Sequence, residues 1–301
     1  MEICGTPATE LAALDRWTES LAEVQQRIAH RFRRVEVRER VGRYLVGLLG
    51  RVERKNSWQL AEAIGEGEPH GVQRLLNGAI WDADAVRDDL RAYVIAHLGD
   101  AASGVLIVDE TGFLKKGERS CGVASQYSGT AGTTANAQVG VFLAYASDRG
   151  TAFIDRTLYL PRDWASDPAR RVVTGIPQGT RFVTKIALAR RMLTRAFAAA
   201  APARWVVADA FYGRSHMFRR WLEQRGRASV LMLPKTTSHP LPRAPRARGA
   251  TRGAPAGSRM EQPNGRRERP GRRGAAVDMR HADGPCPGWD APLVAHPAPY
   301  G

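Results

Sequence analysis

Two aspartates stand at the ends of two short apolar runs. Asp109 closes the run Gly104-Val-Leu-Ile-Val-Asp109, and Asp209 closes the run Trp205-Val-Val-Ala-Asp209. Each run is typical of a buried β-strand. If the two strands are neighbours and end at the same edge of a sheet, their carboxylates can hold divalent metal between them. The residues therefore predict metal-dependent chemistry, with Asp109 and Asp209 as the candidate catalytic residues and metal ligands.

The second strong signal is positive charge. The formal net charge is +15 and the sequence pI is about 10.6. Such a charge favours an anionic partner, with nucleic acid ahead of anionic lipid. Of the 45 Lys and Arg residues only 5 are Lys, however, a bias that is also typical of a GC-rich coding sequence. Charge alone therefore favours nucleic acid without establishing it.

Several classes of protein are disfavoured by the sequence. The chain has no stretch of about 18 apolar residues, and its start lacks a basic region before an apolar one. The three cysteines, Cys4, Cys121 and Cys286, show no CxxC spacing, so neither a zinc site nor a disulfide framework is indicated. We expect a cytoplasmic protein that does not interact with membranes.

Residues 8–100 show apolar residues at three- and four-residue steps, which predicts helices. Within them, a short helix over 57–64 and another starting at Gly71 flank a Gly-containing turn. This pair is similar to a helix-turn-helix in which Gln73 and Arg74 face a DNA groove. The turn is longer than usual for that motif, and an ordinary helical hairpin in a bundle is the alternative. We take 1–100 as an all-helical, DNA-binding domain.

From residue 101 to residue 236 the pattern changes to strands and helices. Apolar runs predict strands over 104–109, 138–145 and 151–160, with a hairpin turn between Asp148 and Gly150. A helix, a fourth strand ending at Asp209, another helix and a fifth strand follow. This order is that of ribonuclease H-like folds, which carry one acid on strand one and another at the end of strand four. The expected fold is α/β, an incomplete ribonuclease H-like mixed sheet behind a helical domain.

Other residues near the two aspartates are weaker candidates. Glu110 should face away from Asp109 if the strand continues, because successive side chains point to opposite faces. Tyr212 follows the second acid, where it could stack on a base or pack in the core. Four basic residues are predicted to contact DNA phosphate, with a solvated surface position as the alternative for each: Lys115, Lys116, Lys185 and Arg214.

Residues 237–301 differ in composition from the rest of the chain. They hold 11 Pro, 9 Gly and 11 Arg but no Lys, and little apolar periodicity. Such a composition cannot bury a core and predicts a disordered tail. One interpretation is an RNA-binding Arg/Gly tail, although the arginines do not repeat as RGG. The interpretation we favour is an out-of-frame translation of GC-rich DNA that replaced the native C-terminus.

Longer motifs point to a family. They comprise Glu53-Arg-Lys-Asn-Ser-Trp-Gln-Leu-Ala-Glu62, Val72-Gln-Arg-Leu-Leu76, Val108-Asp-Glu-Thr-Gly-Phe-Leu-Lys-Lys-Gly117, Gln126-Tyr-Ser-Gly-Thr-Ala-Gly132, Asn136-Ala-Gln-Val-Gly-Val-Phe142, Leu158-Tyr-Leu-Pro161, Thr184-Lys185 and Asp209-Ala-Phe-Tyr-Gly213. In this order and spacing they closely resemble bacterial insertion-sequence transposases of the DDE superfamily, over roughly residues 10 to 236.

The resemblance implies strand transfer at double-stranded transposon ends and target DNA, with Mg²⁺ or Mn²⁺ held by three carboxylates. Asp109 matches the first acid and Asp209 the second. The third, a glutamate on a late helix, has no counterpart, since Glu261 and Glu268 lie in the tail. We therefore expect a truncated or frameshifted, inactive transposase, cytoplasmic and associated with the nucleoid, for which a homodimer on DNA is allowed. The alternatives are a non-catalytic fragment that occupies transposon ends, or a functionless pseudogene product.

Overall fold

Five helices form the first third of the chain in the computed structural model, which describes residues 7–129 and 131–233, with side chains from residue 14. Their bounds are α1 Pro7–Ala29, α2 Val35–Leu49, α3 Ser57–Ala63, α4 His70–Asn77 and α5 Ala83–Leu98. Ile28, Phe32, Val41 and Leu75 form their buried core. The predicted helical region is confirmed, although the first turns of the apolar stripe are not buried, since Leu14 and Trp17 are exposed.

Within the described residues, six strands follow and form one mixed sheet. Their bounds are β1 Val105–Leu114, β2 Ala124–Ser128, β3 Thr133–Ser147, β4 Gly150–Tyr159, β5 Trp205–Ala208 and β6 Ser229–Leu231. The order is β2-β3-β1-β5-β6, with β4 also paired to β3. Strand β3 is antiparallel to β1, β2 and β4, whereas β1, β5 and β6 run parallel to one another.

Five further helices lie in the described part of the chain. They are α6 Arg162–Ser166, α7 Pro168–Thr174, α8 Lys185–Ala198, α9 Ala210–Gly213 and α10 His216–Glu223. Residues of three of them, α8, α9 and α10, join the core on one face of this sheet. Alternate residues of β1, Leu106 and Val108, are buried against α8 and α10, where Met192 and Phe218 are fully enclosed. The period of two in a strand therefore sends Asp109 to the opposite face from this core.

The predicted architecture is confirmed in outline and differs in detail. The mixed sheet, the helical region before it and the β3–β4 hairpin, closed by the pair Ser147 and Gly150, are present. Strand β2 and helices α6 and α7 were not predicted. Strand β1 is also longer than predicted, because β3 pairs with all ten of its residues and carries it past Asp109 to Leu114.

Helix α5 connects the helical region to the sheet. Its first half contributes Val86 and Leu90 to the helical core, and its second half packs Val94, Ile95 and Leu98 on the sheet core. A buried carboxylate strengthens this junction. Asp155 of β4 is fully enclosed, accepts two hydrogen bonds from Arg195 of α8 at 2.8 and 3.1 Å, and lies 3.6 Å from Arg87 and 3.9 Å from Arg91 of α5.

Three sets of predictions stay open at this level. The domain boundary at residue 100 falls between α5 and β1, but separate folding of the two parts stays a prediction. The predictions for 237–301 lie outside the described residues, as do Cys4 and Cys286. Among the helices of the described ranges, none is both long enough and apolar enough to cross a membrane.

Candidate active site

The structure brings Asp109 and Asp209 together. Strands β1 and β5 are parallel neighbours, and their last paired residues are Val108 and Ala208. Each aspartate is the next residue along its strand, so both leave the sheet at the same edge and on the same face. Both are solvent-exposed. The arrangement is the one that the two apolar runs predicted.

Backbone hydrogen bonds orient each carboxylate. Asp209 caps the short helix α9, and its Oδ1 accepts from the N–H groups of Phe211 at 3.0 Å and Tyr212 at 3.3 Å. Asp109 Oδ1 accepts from the N–H of Glu110 at 2.7 Å. Within the described ranges, Oδ2 of neither aspartate accepts a hydrogen bond. Each carboxylate therefore keeps one oxygen for an external ligand.

The electrostatics of Asp109 suit a cation. Although Asp109 is exposed at the surface, the protein around it partly desolvates its carboxyl group, which raises its pKa; the negative charges of Asp209 and Glu110 raise it further, against a lowering by the Glu110 N–H. A divalent cation between the two carboxylates would relieve this repulsion, and carboxylate oxygens are the donors that Mg²⁺ and Mn²⁺ prefer. Asp109 and Asp209 thus fit a metal ion as two of its ligands.

A third metal ligand is not found in the described residues. Within 7–129 and 131–233, no group of three or more His, Cys, Asp or Glu side chains converges in a way that could hold a metal ion. Glu110 follows Asp109 in sequence, but its side chain lies on the other face of β1, as predicted for a strand that continues. The acid pair and Glu110 are therefore separate features of this edge.

Lys185 pairs with Glu110 instead of facing solvent. Its Nζ lies 3.0 Å from Glu110 Oε1, and its side chain is only 14% exposed. The same Nζ lies 5.6 Å from the centre of the Tyr159 ring and 5.3 Å from that of Phe211. An ammonium group held in this way does not fit a free phosphate clamp, and DNA contact by Lys185 stays a prediction with the geometry against it.

Tyr212 and Arg214 differ in exposure. Tyr212 is fully buried, so of the two alternatives left open by the sequence the structure favours packing in the core over stacking on a base. The glycine after it is needed for close packing, since a Cβ at Gly213 would lie 1.9 Å from the carbonyl oxygen of Met232. Arg214 is exposed, with its guanidinium 4.8 Å from the centre of the Phe211 ring. It lies five residues after Asp209, and DNA contact by Arg214 stays a prediction.

Lys115 and Lys116 are far from the acid pair. Gly112 lies inside β1 and makes no turn, so the strand carries the chain past Asp109 to Leu114 before these two lysines follow. A Cβ at Gly112 would lie 2.6 Å from Ser128 Oγ, so this glycine serves close packing. Lys115 follows the end of β1 and lies six positions after Asp109, about 20 Å along extended backbone. Both lysines can contact DNA only away from the candidate metal site.

Gln73 and Arg74 lie on α4, outside the helical core. Val72 and Leu75 are buried there, while Gln73 is half-buried and Arg74 is exposed. The structure adds neighbours that sequence reasoning missed: Arg33, Arg34 and Arg40 line two adjoining depressions with Arg74. We call the set Arg33, Arg34, Arg40, Gln73 and Arg74 the α4 basic surface. The basic run His30-Arg-Phe-Arg-Arg34 between α1 and α2 was the signal that could have identified it.

Most of the cations on the α4 basic surface are unpaired. Arg40 binds Glu66 at 3.0 Å. Among the residues that the structure describes, the guanidinium groups of Arg33, Arg34 and Arg74 have no carboxylate or hydrogen-bond partner, and all three are exposed. Exposed arginines without a carboxylate partner are available to phosphate. The surface is therefore a candidate nucleic-acid interface, separate from the acid pair.

Comparison with known proteins matches this geometry to a family. The model of the DDE superfamily endonuclease family matches residues 26–281. This range continues beyond residue 236, where the motif resemblance ends. A curated relative, the "Probable transposase for insertion sequence element IS701" of Microchaete diplosiphon, is 29% identical over 171 residues. The alignment covers 56% of this chain and 42% of the relative, so the chain spans less than half the length of that protein.

Proposed function

This chain belongs to the DDE superfamily of endonucleases, and from that premise we propose that it is an insertion-sequence transposase. The reaction would be metal-dependent hydrolysis and transfer of phosphodiester bonds at the ends of the element. The observation that carries the proposal is the position of Asp109 and Asp209, which leave neighbouring parallel strands at one edge with a free oxygen each. The similarity to a curated transposase supports the same assignment.

The two carboxylates would hold Mg²⁺ or Mn²⁺ at this edge. When bound, the metal would activate the attacking water or 3′-hydroxyl and stabilise the leaving oxygen. The capping hydrogen bonds to Asp209 and the Glu110 N–H to Asp109 keep one oxygen of each carboxylate fixed, so the other is presented to the ligand. Exposed Arg214 stands close enough in sequence to steady a DNA phosphate.

The α4 basic surface would bind the duplex. A short helix with three unpaired arginines around it can contact phosphates on both sides of a groove, while Gln73 on the same helix can reach base edges. We propose that the terminal sequences of the element are recognised here. The turn between α3 and α4 spans residues 64–69, so the pair departs from an ordinary helix-turn-helix.

A second candidate function is a DNA-binding protein that occupies the ends of the element without cutting them. This candidate is favoured because the paired-metal reaction needs a third carboxylate, and within the described residues none lies with Asp109 and Asp209. On this proposal residues 1–301 bind metal weakly and cleave nothing. Restoring a reading frame that supplies a late glutamate would then restore cleavage.

The two candidates are separated by a cleavage assay on DNA that carries the ends flanking the gene. The first candidate expects cleavage by residues 1–301 in Mg²⁺ or Mn²⁺, whereas the second expects cleavage only by the chain extended in frame into the downstream sequence. Asp109→Asn and Asp209→Asn should each abolish that activity, whereas Asp148→Asn, an exposed aspartate at the β3–β4 turn, should not. Cleavage by residues 1–301 alone that is lost on either aspartate substitution would show that a third acid lies within this chain.

A further inference from the structure

A second set of polar groups lies beneath the acid pair, on the core side of the sheet. It consists of Glu110 of β1, Lys185 at the start of α8 and Tyr212 of α9. Glu110 Oε1 accepts from Lys185 Nζ at 3.0 Å, and the two side chains are 21% and 14% exposed. The proposed metal reaction uses none of the three side chains.

Two polar atoms of this set are unsatisfied. Glu110 Oε2 and the Tyr212 hydroxyl are both buried, and neither has a hydrogen-bond partner in the described part of the chain. A buried polar atom without a partner costs on the order of 1–3 kcal/mol, and Glu110 is a neighbour with which the Tyr212 hydroxyl interacts, so the two atoms are expected to satisfy each other. A tyrosine hydroxyl is protonated at neutral pH, so Tyr212 can donate and the carboxylate oxygen of Glu110 can accept.

We propose that Glu110, Lys185 and Tyr212 form a positioning clamp that fixes the separation of Asp109 and Asp209, with the Tyr212 hydroxyl donating to Glu110 Oε2. This inference rests on the proposed function, because it assigns the clamp to the metal site of that function. Its members are positioning residues, since none of them contacts the ligand.

The connectivity explains how the clamp acts on both aspartates. Glu110 is the residue after Asp109, so a bond that fixes the Glu110 side chain also fixes the backbone of β1 next to Asp109. Tyr212 is three residues after Asp209, and its N–H donates to the Asp209 carboxylate. A Glu110–Tyr212 hydrogen bond would therefore join the two ligand-bearing segments directly. Lys185 reinforces the join, because it pairs with Glu110 while its ammonium lies 5.3 Å from the Phe211 ring centre.

The sign of the change in metal affinity when the charge of Lys185 is removed distinguishes a positioning clamp from a purely electrostatic effect. Lys185 is a cation near a site that would hold a cation, so removing its charge should tighten metal binding if only electrostatics mattered. If Lys185 holds Glu110 in place, its removal should weaken metal binding instead. Lys185→Met therefore gives opposite signs for the two explanations. Tyr212→Phe changes no charge and removes only the donor.

The experiment measures Tb³⁺ affinity of the full chain, with the ion excited directly instead of through an aromatic ring, and Mn²⁺ as competitor. Tyr212→Phe and Lys185→Met should each weaken binding by about 10- to 100-fold, the usual effect of removing a group that supports a metal ligand. Tyr159→Phe is the matched control, since it removes a hydroxyl from another ring beside Lys185 and should leave affinity unchanged. The double variant Glu110→Gln with Tyr212→Phe should lose little more than Glu110→Gln alone.

Measurements of thermal stability and of amide hydrogen exchange distinguish loss of the clamp from a general loss of stability. Tyr145→Phe loses the bond to the Pro202 carbonyl at 2.6 Å, so it should lower the melting temperature without changing metal affinity. In metal-free protein, Tyr212→Phe should speed amide exchange at residues 210–213 by about fivefold, the effect of one lost buried hydrogen bond. Tyr159→Phe should not.

Three results would overturn the clamp: Tb³⁺ affinity unchanged in Tyr212→Phe, tighter binding in Lys185→Met, or exchange at 210–213 unchanged. If the parent chain shows no Tb³⁺ binding that Asp109→Asn and Asp209→Asn remove, the metal site of the proposed function is wrong. The exchange measurement then decides the clamp by itself, because it needs no metal.

Discussion

Neutralising three arginines of the α4 basic surface should change the salt dependence of DNA binding by a calculable amount. The variant replaces Arg33, Arg34 and Arg74 with Gln in the full chain. These are the members of the surface that are exposed and without a carboxylate or hydrogen-bond partner among the described residues. Arg40 is left unchanged, because its pairing with Glu66 at 3.0 Å already engages its charge.

The magnitude follows from counterion release. Each phosphate neutralised on duplex DNA contributes about 0.9 to the slope of log affinity against log salt, so three contacts contribute about 2.7. Between 50 and 200 mM salt, a fourfold change, the parent chain should lose about 40-fold more affinity than the variant. Gln substitution keeps most of the aliphatic stem, so the change in slope reports charge more than packing.

The assay is fluorescence anisotropy with a duplex from the element's end, repeated with an unrelated duplex over the same salt range. A control variant replaces Arg16, Arg119 and Arg220, all exposed and elsewhere in the chain, with Gln. It removes the same total charge and should leave the slope near that of the parent. Equal slopes for parent and α4 variant, or equal losses in both variants, would refute a local interface and leave only the general positive charge of the chain.

Two further predictions concern stability. Asp155→Asn should destabilise the chain by about 3–5 kcal/mol, because it leaves Arg195 without its carboxylate and removes the buried negative charge near Arg87 and Arg91, which keep only Asp88 and other exposed acids. Urea unfolding should show this, and a loss under 1 kcal/mol, like that expected for exposed Asp84→Asn, would contradict it. A hydrogen bond from Arg31 lowers the pKa of Asp89, so this pKa is lower in the folded chain than in the unfolded chain. The pair therefore stabilises the fold above about pH 4, and its contribution is lost as the pH falls further. The difference in melting temperature between the parent and Arg31→Gln should therefore shrink below pH 4, and a constant difference would show that the pair does not titrate in this way.

Local patterns were sufficient to predict the acid pair but not its surroundings. An apolar run that ends in an acid marks the end of a buried strand, and parallel neighbours bring such ends together, so Asp109 and Asp209 were predictable from sequence. Strand length was not predictable in the same way. Phe113 and Leu114 belong to β1 because β3 is long enough to pair with them, a partner that residues 104–109 do not reveal.

Long-range pairing explains the other differences. Lys185 is a basic residue at a helix start, and nothing local indicates that Glu110, 75 positions earlier, binds it. The α4 basic surface has the same origin, because Arg33 and Arg74 meet only when α2 and α4 pack together. Buried Tyr212 was ambiguous in sequence, since an aromatic residue after a catalytic acid serves packing as well as stacking. In each case the sequence indicated the chemistry of the residue but not the residue with which it interacts.

The charge balance at the sheet edge links these features. Three carboxylates, Asp109, Glu110 and Asp209, lie within one edge, and Lys185 neutralises Glu110 from the core side. The two aspartates remain without a cation partner in the described ranges, and their mutual repulsion contributes to the raised pKa of Asp109. Because Glu110 is held by Lys185, it cannot also turn outward to serve as the third ligand without leaving a buried ammonium unpaired, which is costly. On the proposed function, the third carboxylate would therefore come from another segment, while Glu110 would keep the first two in place.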